Sequence, residues 1–154
     1  MLTPNLTVNE AGHLCIGGAD TVTLAKTHGT PLYVMDENMI RENCRGFEKV
    51  ISEEYQGRGL ICYASKALSC MEMYRIVDSE GLGADVVSGG ELYTALKAGM
   101  PAEKIVMHGN SKLISFIGAI HKLNMVSETL VLQMERTSFQ TSPIVSIIVL
   151  RKTV

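Results

Sequence analysis

Lys66 follows the apolar run "LICYA" (60–64) and stands where a helical pattern begins, which puts an amine at the end of a strand. An amine held there becomes a nucleophile when burial or nearby positive charge lowers its pKa. The chemistry that most needs one is condensation with an aldehyde such as that of pyridoxal phosphate, an electron sink in amino-acid chemistry. Taken alone, a lysine ahead of a helix is more often a solvated cation, but its neighbours alter the balance. Asp85 opens the next strand, Ser88 and Glu91 lie just past that strand's end, and His108 with Asn110 ends the strand after it. Singly, a loop charge, a helix cap and a turn histidine account for Asp85, Glu91 and His108. Together they are polar groups that one pocket can share.

Such a pocket requires adjacent strand ends, and the pattern supplies them. From Thr30 onward, short apolar runs rich in β-branched residues alternate with segments of helical period, the sequence form of repeated βα units. "PLYVM" (31–35) reads as a strand. Asp36 is placed to cap a helix whose inner face carries Ile40, Cys44, Phe47 and Ile51, ended by Gly57 and Gly59. After "LICYA" a helix is expected from Ala67 to about Glu80, with Leu68, Met71, Tyr74 and Val77 inward. "ADVV" (84–87) is the next strand. "SGGE" then has the form of a capping box, Ser88 accepting from the N–H of Glu91 and that carboxylate returning to the N–H of Ser88. "KIVMH" (104–108) is a further strand.

Strands about twenty residues apart, each followed by a helix, imply parallel pairing in an open doubly wound sheet or a (β/α)8 barrel. A dinucleotide-binding loop needs its glycines between strand and helix, whereas "GLG" (81–83) precedes its strand and "SGG" is explained equally well by capping. In a barrel the C-terminal ends of the strands form the rim where chemistry is done, and Lys66 falls there.

Composition narrows the function classes. The 154 residues carry a formal net charge of −2 with both signs interspersed, so no basic stripe for nucleic acid and no polybasic membrane segment is present. The run "IVSIIVL" (144–150) is too short to span a bilayer. Four cysteines (Cys15, Cys44, Cys62, Cys70) without C-x-x-C spacing read as buried reduced thiols, so neither zinc nor another metal is expected. The expectation is a cytoplasmic protein.

The stretches "GTPLYVMDENMIRENCRGF" (29–47), "YASKA" (63–67) and "GLGADVVSGGELYTALKAGMPAEKIVMHGNSK" (81–112) resemble the N-terminal part of the diaminopimelate decarboxylase family. These are pyridoxal-phosphate enzymes of the alanine-racemase-like barrel class that decarboxylate meso-2,6-diaminopimelate to L-lysine. The resemblance implies an α/β fold, a partial (β/α)8 barrel lacking the later strands and the C-terminal β domain. It also implies pyridoxal 5'-phosphate as cofactor, an amino acid as substrate, and the homodimer of the full-length family. By the same resemblance Lys66 aligns with the Schiff-base lysine, Asp85 with an aspartate near the cofactor, Ala64 with a pocket-lining residue and His108 with a position beside the ring. Ser88, Glu91 and Asn110 fall among polar residues of the same rim, and no substrate-gripping residue is identified.

Residues 1–35 are then a segment leading into the barrel, 36–112 its first βα units, and 113–154 a divergent tail. After Lys112 no family motif can be matched, and His121 reads as a helix-surface residue. The expectation is a chain truncated or frame-shifted at that point and inactive alone. The alternatives are an inert barrel fragment acting only in binding, a self-sufficient α/β domain, or a decarboxylase of the ornithine or arginine type.

Overall fold

The computed structural model describes residues 4–107. His108, Asn110 and the 113–154 tail, including His121, lie outside the described residues. The described residues divide into two compact units, with the boundary between Asn43 and Cys44.

In the first unit, β1 (Leu6–Val8), β2 (Leu14–Ile16) and β3 (Ala19–Asp20) form an antiparallel meander, with Leu6 opposite Ile16 and Cys15 opposite Asp20. Its turns follow from local chemistry. Gly17 and Gly18, between Ile16 and Ala19, have φ of 57° and 83°, the left-handed pair that a two-residue hairpin of the right twist requires. The 9–13 turn is wound around Asn9, whose Oδ1 accepts from the N–H groups of Ala11 (3.1 Å) and His13 (2.9 Å). Asp20 caps α1 (Thr21–His28), its Oδ1 accepting from Val22 N (2.8 Å) and Thr23 N (3.1 Å). Its other oxygen takes the Asn9 amide at 2.8 Å and lies 2.9 Å from His13 Nδ1. One carboxylate thus pins a helix start to a hairpin turn.

Residues 31–35, expected as a strand, join no ladder among the described residues. Pro31 has no N–H to give, and Tyr33 is 98% exposed. Apolar, β-branched character favours a strand only where a neighbour takes its backbone groups. As expected, Asp36 caps α2 (Glu37–Tyr55), its Oδ1 accepting from Met39 N at 3.2 Å. Cys44 and Ile51 are the helix's buried residues, and Ile40 and Phe47 are half-buried on the same face.

In the second unit β4 (Cys62–Ala64), β5 (Gly83–Val86) and β6 (Ile105–Met107) pair in parallel in that order, with Ala64 beside Asp85 and Asp85 beside Val106. Every residue of the three strands is buried, as in a parallel sheet covered on both faces. The crossover helices α3 (Met71–Ser79) and α4 (Gly89–Ala98) pack on β5. This is the expected alternation of βα units.

Two details differ from the sequence pattern. Ser65–Ala67 forms a single 3-10 turn, and the helix expected from Ala67 begins at Met71. The Leu68 carbonyl accepts both the Tyr63 hydroxyl (3.1 Å) and Cys70 N (3.2 Å), and Leu68 is extended at φ −159°. The chain therefore becomes helical only beyond this anchor. The buried face of α3 shifts accordingly to Met73, Tyr74, Ile76 and Val77, leaving Leu68 and Met71 41% and 38% exposed. The capping box is also modified. Ser88 Oγ accepts from Glu91 N at 3.3 Å as expected, but the Glu91 carboxylate accepts from Val87 N (2.9 Å) rather than from Ser88 N.

The end of the sheet away from the rim is tied by ion pairs. Arg45 in α2 forks onto Glu80 (Nε–Oε2 2.7 Å, Nη2–Oε1 2.9 Å), and Lys104 Nζ meets Asp78 Oδ1 at 2.8 Å. In a barrel that end serves stability and the opposite end chemistry.

Candidate functional site

Strand alternation sorts the residues of β4 and its exit. Cys62 and Ala64 share one face with their register partners Gly83 and Asp85, while Tyr63 and Ser65 fall on the other, toward α3 and α4. Of the sequence-predicted site residues, Ala64 is buried at the last rung of the β4–β5 ladder and Asp85 stands beside it at 3% exposure. Lys66 is two residues beyond Ala64, in the 3-10 turn, and its side chain is solvent-exposed. The strand-end position is as expected. Burial, one of the two activating routes considered for its amine, is not present at Lys66 among the described residues.

Asp85 exerts a field that its neighbour registers. Burial, with the Asp85 charge added to it, pushes the Cys62 thiol up to about 12. A thiol so placed is protonated and inert at neutral pH. Three Glu91 hydrogen bonds knit the rim of β5: its carboxylate accepts from Val87 N at 2.9 Å, from Ser88 Oγ at 3.1 Å and from Ser65 Oγ at 2.5 Å. Ser88 itself is exposed and serves as the α4 cap. Lys66, Ala64, Asp85, Ser88 and Glu91 thus gather around the C-terminal ends of two neighbouring strands. His108 and Asn110 lie outside the described residues.

The sequence reading missed Ser65, Tyr63 and Tyr74. Ser65 is fully buried, and its Oγ is 2.8 Å from the Asp85 carbonyl as well as 2.5 Å from Glu91 Oε2. Tyr63 donates to Leu68 O, and its buried phenol is pushed up to about 12 chiefly by burial. Tyr74 donates to Glu91 O at 3.2 Å and lies 3.0 Å from Ser69 Oγ. The turn that carries Lys66 is therefore anchored on both sides. Alternation was the available signal, since it places residues 63 and 65 away from 64 and toward the helices.

The site offers a solvent-reachable primary amine beside a methyl-sized side chain and a buried carboxylate. A primary amine of this kind can condense with a small aldehyde. No cluster of three or more potential metal ligands exists among the described residues. Among the same residues, no helix is long and apolar enough to cross a membrane.

Residues 37–137 match the family model described as pyridoxal-dependent decarboxylase, pyridoxal binding domain, a match that runs past Lys112. A diaminopimelate decarboxylase of Bacillus methanolicus is 55% identical over 105 residues, covering 68% of this chain and 24% of the relative. Another, of Methanothermobacter thermautotrophicus, is 41% identical over 153 residues, covering 92% of this chain and 36% of the relative. Among solved structures, diaminopimelate decarboxylase from M. jannaschii in complex with L-lysine matches with a TM-score of 0.71 and 38% identity, over 81% of this chain and 30% of that one. This likeness shows the fold, an α/β part of the barrel carried by those enzymes. The chain spans about a quarter to a third of the length of the curated relatives it matches.

Proposed function

Because this chain belongs to the pyridoxal-dependent decarboxylases through their pyridoxal-binding domain, we propose that it forms the cofactor-binding part of an enzyme that decarboxylates meso-2,6-diaminopimelate to L-lysine. The observation that carries the reading is the exposed Lys66 amine on an anchored turn at the C-terminal end of β4, two residues past the Ala64–Asp85 pair.

In this reading pyridoxal phosphate, when bound, supplies an electron sink for the loss of carbon dioxide. Lys66 offers the amine that condenses with the cofactor's aldehyde. Ala64, with a single methyl group, leaves room beside the strand end, and the buried Asp85 carboxyl stands next to it. Ser88, His108 and Asn110 are proposed to complete the cofactor's surroundings, and the assembly is proposed to be a homodimer. The names of the relatives support the substrate.

The test of the site is borohydride reduction of the purified chain in the presence of pyridoxal phosphate, followed by peptide mapping. Lys66 is expected to carry the pyridoxyl group in preference to the exposed Lys26, Lys49 and Lys97. Even labelling across these lysines overturns the assignment. For the reaction, carbon dioxide release from meso-2,6-diaminopimelate but not from ornithine or arginine is expected of the protein that contains this chain. The reverse preference would assign it to another branch of the family.

A further inference from the structure

We infer that Ser65 is a positioning residue for Lys66, holding the turn that aims the amine; this rests on the reading of Lys66 as the cofactor-binding lysine. The last pair of the β4–β5 ladder is Ala64 with Asp85, and from Ser65 the chain enters the 3-10 turn that carries Lys66. The Ser65 hydroxyl adds side-chain ties at the start of that turn. It lies 2.8 Å from the carbonyl oxygen of the same Asp85 and 2.5 Å from Glu91 Oε2, so its one proton is shared between β5 and the first turn of α4. A hydroxyl as fully buried as this one is costly without partners, and both partners are themselves fixed. Asp85 sits in the ladder, and the Glu91 carboxylate is held by Val87 N and Ser88 Oγ.

The geometry makes Ser65 the hinge-pin nearest the amine. On the far side of Lys66 the turn is anchored at Leu68 O by Tyr63 and at Ser69 Oγ by Tyr74. On the near side Ser65 supplies the side-chain bonds, one residue from Lys66. Releasing it leaves the amine attached but frees the backbone dihedrals that set its direction. Fixing orientation is worth rate and selectivity even where no contact to the reacting group is made.

The experiment uses the whole chain, with pyridoxyl labelling of Lys66 relative to Lys49 and Lys97 as the readout. The variants are Ser65→Ala and, as a remote destabiliser, Gly99→Ala, which forces a Cβ onto a backbone at φ 92°. Ser65→Ala is expected to lower the Lys66 preference about fivefold, the worth of one net hydrogen bond, with Lys49 and Lys97 unchanged. Gly99→Ala is expected to keep the parent's preference. Undiminished Lys66 labelling in Ser65→Ala overturns the positioning role, and so does an equal loss in Gly99→Ala, which would make the effect one of general stability. A parent chain without preference for Lys66 fails earlier, overturning the reading of Lys66 and the role of Ser65 with it.

Discussion

The phenol of Tyr74 in α3 donates to the main-chain carbonyl of Glu91 in the first turn of α4, at 3.2 Å. With its proton so committed, Tyr74 can only accept from Ser69, whose Oγ lies 3.0 Å away. Two crossover helices and the turn after Lys66 therefore meet at one buried oxygen. Tyr74→Phe keeps the ring and removes that junction, leaving the Glu91 carbonyl without this donor. The expected loss is about 1 kcal/mol, read as a lower denaturant midpoint with unchanged slope. An unchanged midpoint would mean that water replaces the phenol at no cost.

Gly83 allows the three strands to approach. A Cβ there would collide with the carbonyl oxygen of Lys104 and come within 2.9 Å of Leu60 Cδ2 and 3.1 Å of Cys62 Sγ. The carbonyl belongs to the backbone and cannot swing aside as a side chain would. Gly83→Ala is expected to cost about 3 kcal/mol, the upper range for an overpacked core, and to expose amides of β5 and β6 to hydrogen exchange. Parent-like protection of those amides would show that the ladder opens without penalty.

Asp20 predicts an acid limb for the N-terminal unit. Its hydrogen bond with His13, aided by the Thr23 N–H, holds its carboxyl down at about 2 from an ordinary 3.8. A depressed folded-state value means that the stabilisation is fully present above 3.8 and is lost as pH falls through about 2. Hydrogen exchange in the 9–20 meander should therefore accelerate across that window. Asp20→Asn, which removes the titrating group, should flatten the dependence while lowering protection at neutral pH. An acid limb that survives in Asp20→Asn would assign it to another carboxylate.

The βα alternation was legible because parallel strands buried on both faces write continuous apolar runs, and "LICYA", "ADVV" and "KIVMH" each mark a described strand. The N-caps were legible too, since Asp36 and Ser88 stand one residue ahead of their helices. What escaped the sequence is mostly tertiary. The start of α3 at Met71 depends on the Tyr63 hydroxyl reaching Leu68 O, a contact between side chain and loop that no periodicity encodes. Residues 31–35 carry strand-like apolar character but no pairing among the described residues, and propensity cannot supply a neighbour. The N-terminal meander went unread although "IGGA" spells a two-residue hairpin. At the site, Lys66 and Asp85 stood out as charges beside apolar runs, whereas Ser65 looked like an ordinary small residue.

Cys62 and Tyr63, neighbours on opposite faces of β4, predict the alkaline limb and test the position of Asp85. Burial first, and then the Asp85 charge, pushes the Cys62 thiol up to about 12 from 9.0, and burial pushes the Tyr63 phenol up to about 12 from 10.0. Both groups hold their protons more tightly in the folded chain than in the unfolded one. Their contribution is therefore complete below pH 9 and is withdrawn as pH rises from 9 through 12, because the unfolded chain ionises first. Alkylation followed against pH should modify the half-buried Cys70 at neutral pH and leave Cys62 unmodified until the second unit opens. Asp85→Asn removes the charge and leaves burial in place, so Cys62 should titrate lower than in the parent but still above 9. If Asp85→Asn leaves the Cys62 profile unmoved, the carboxylate does not face that thiol. The Asp85 carboxyl beside Ala64, on which the proposed cofactor surroundings rely, would then have to be placed elsewhere.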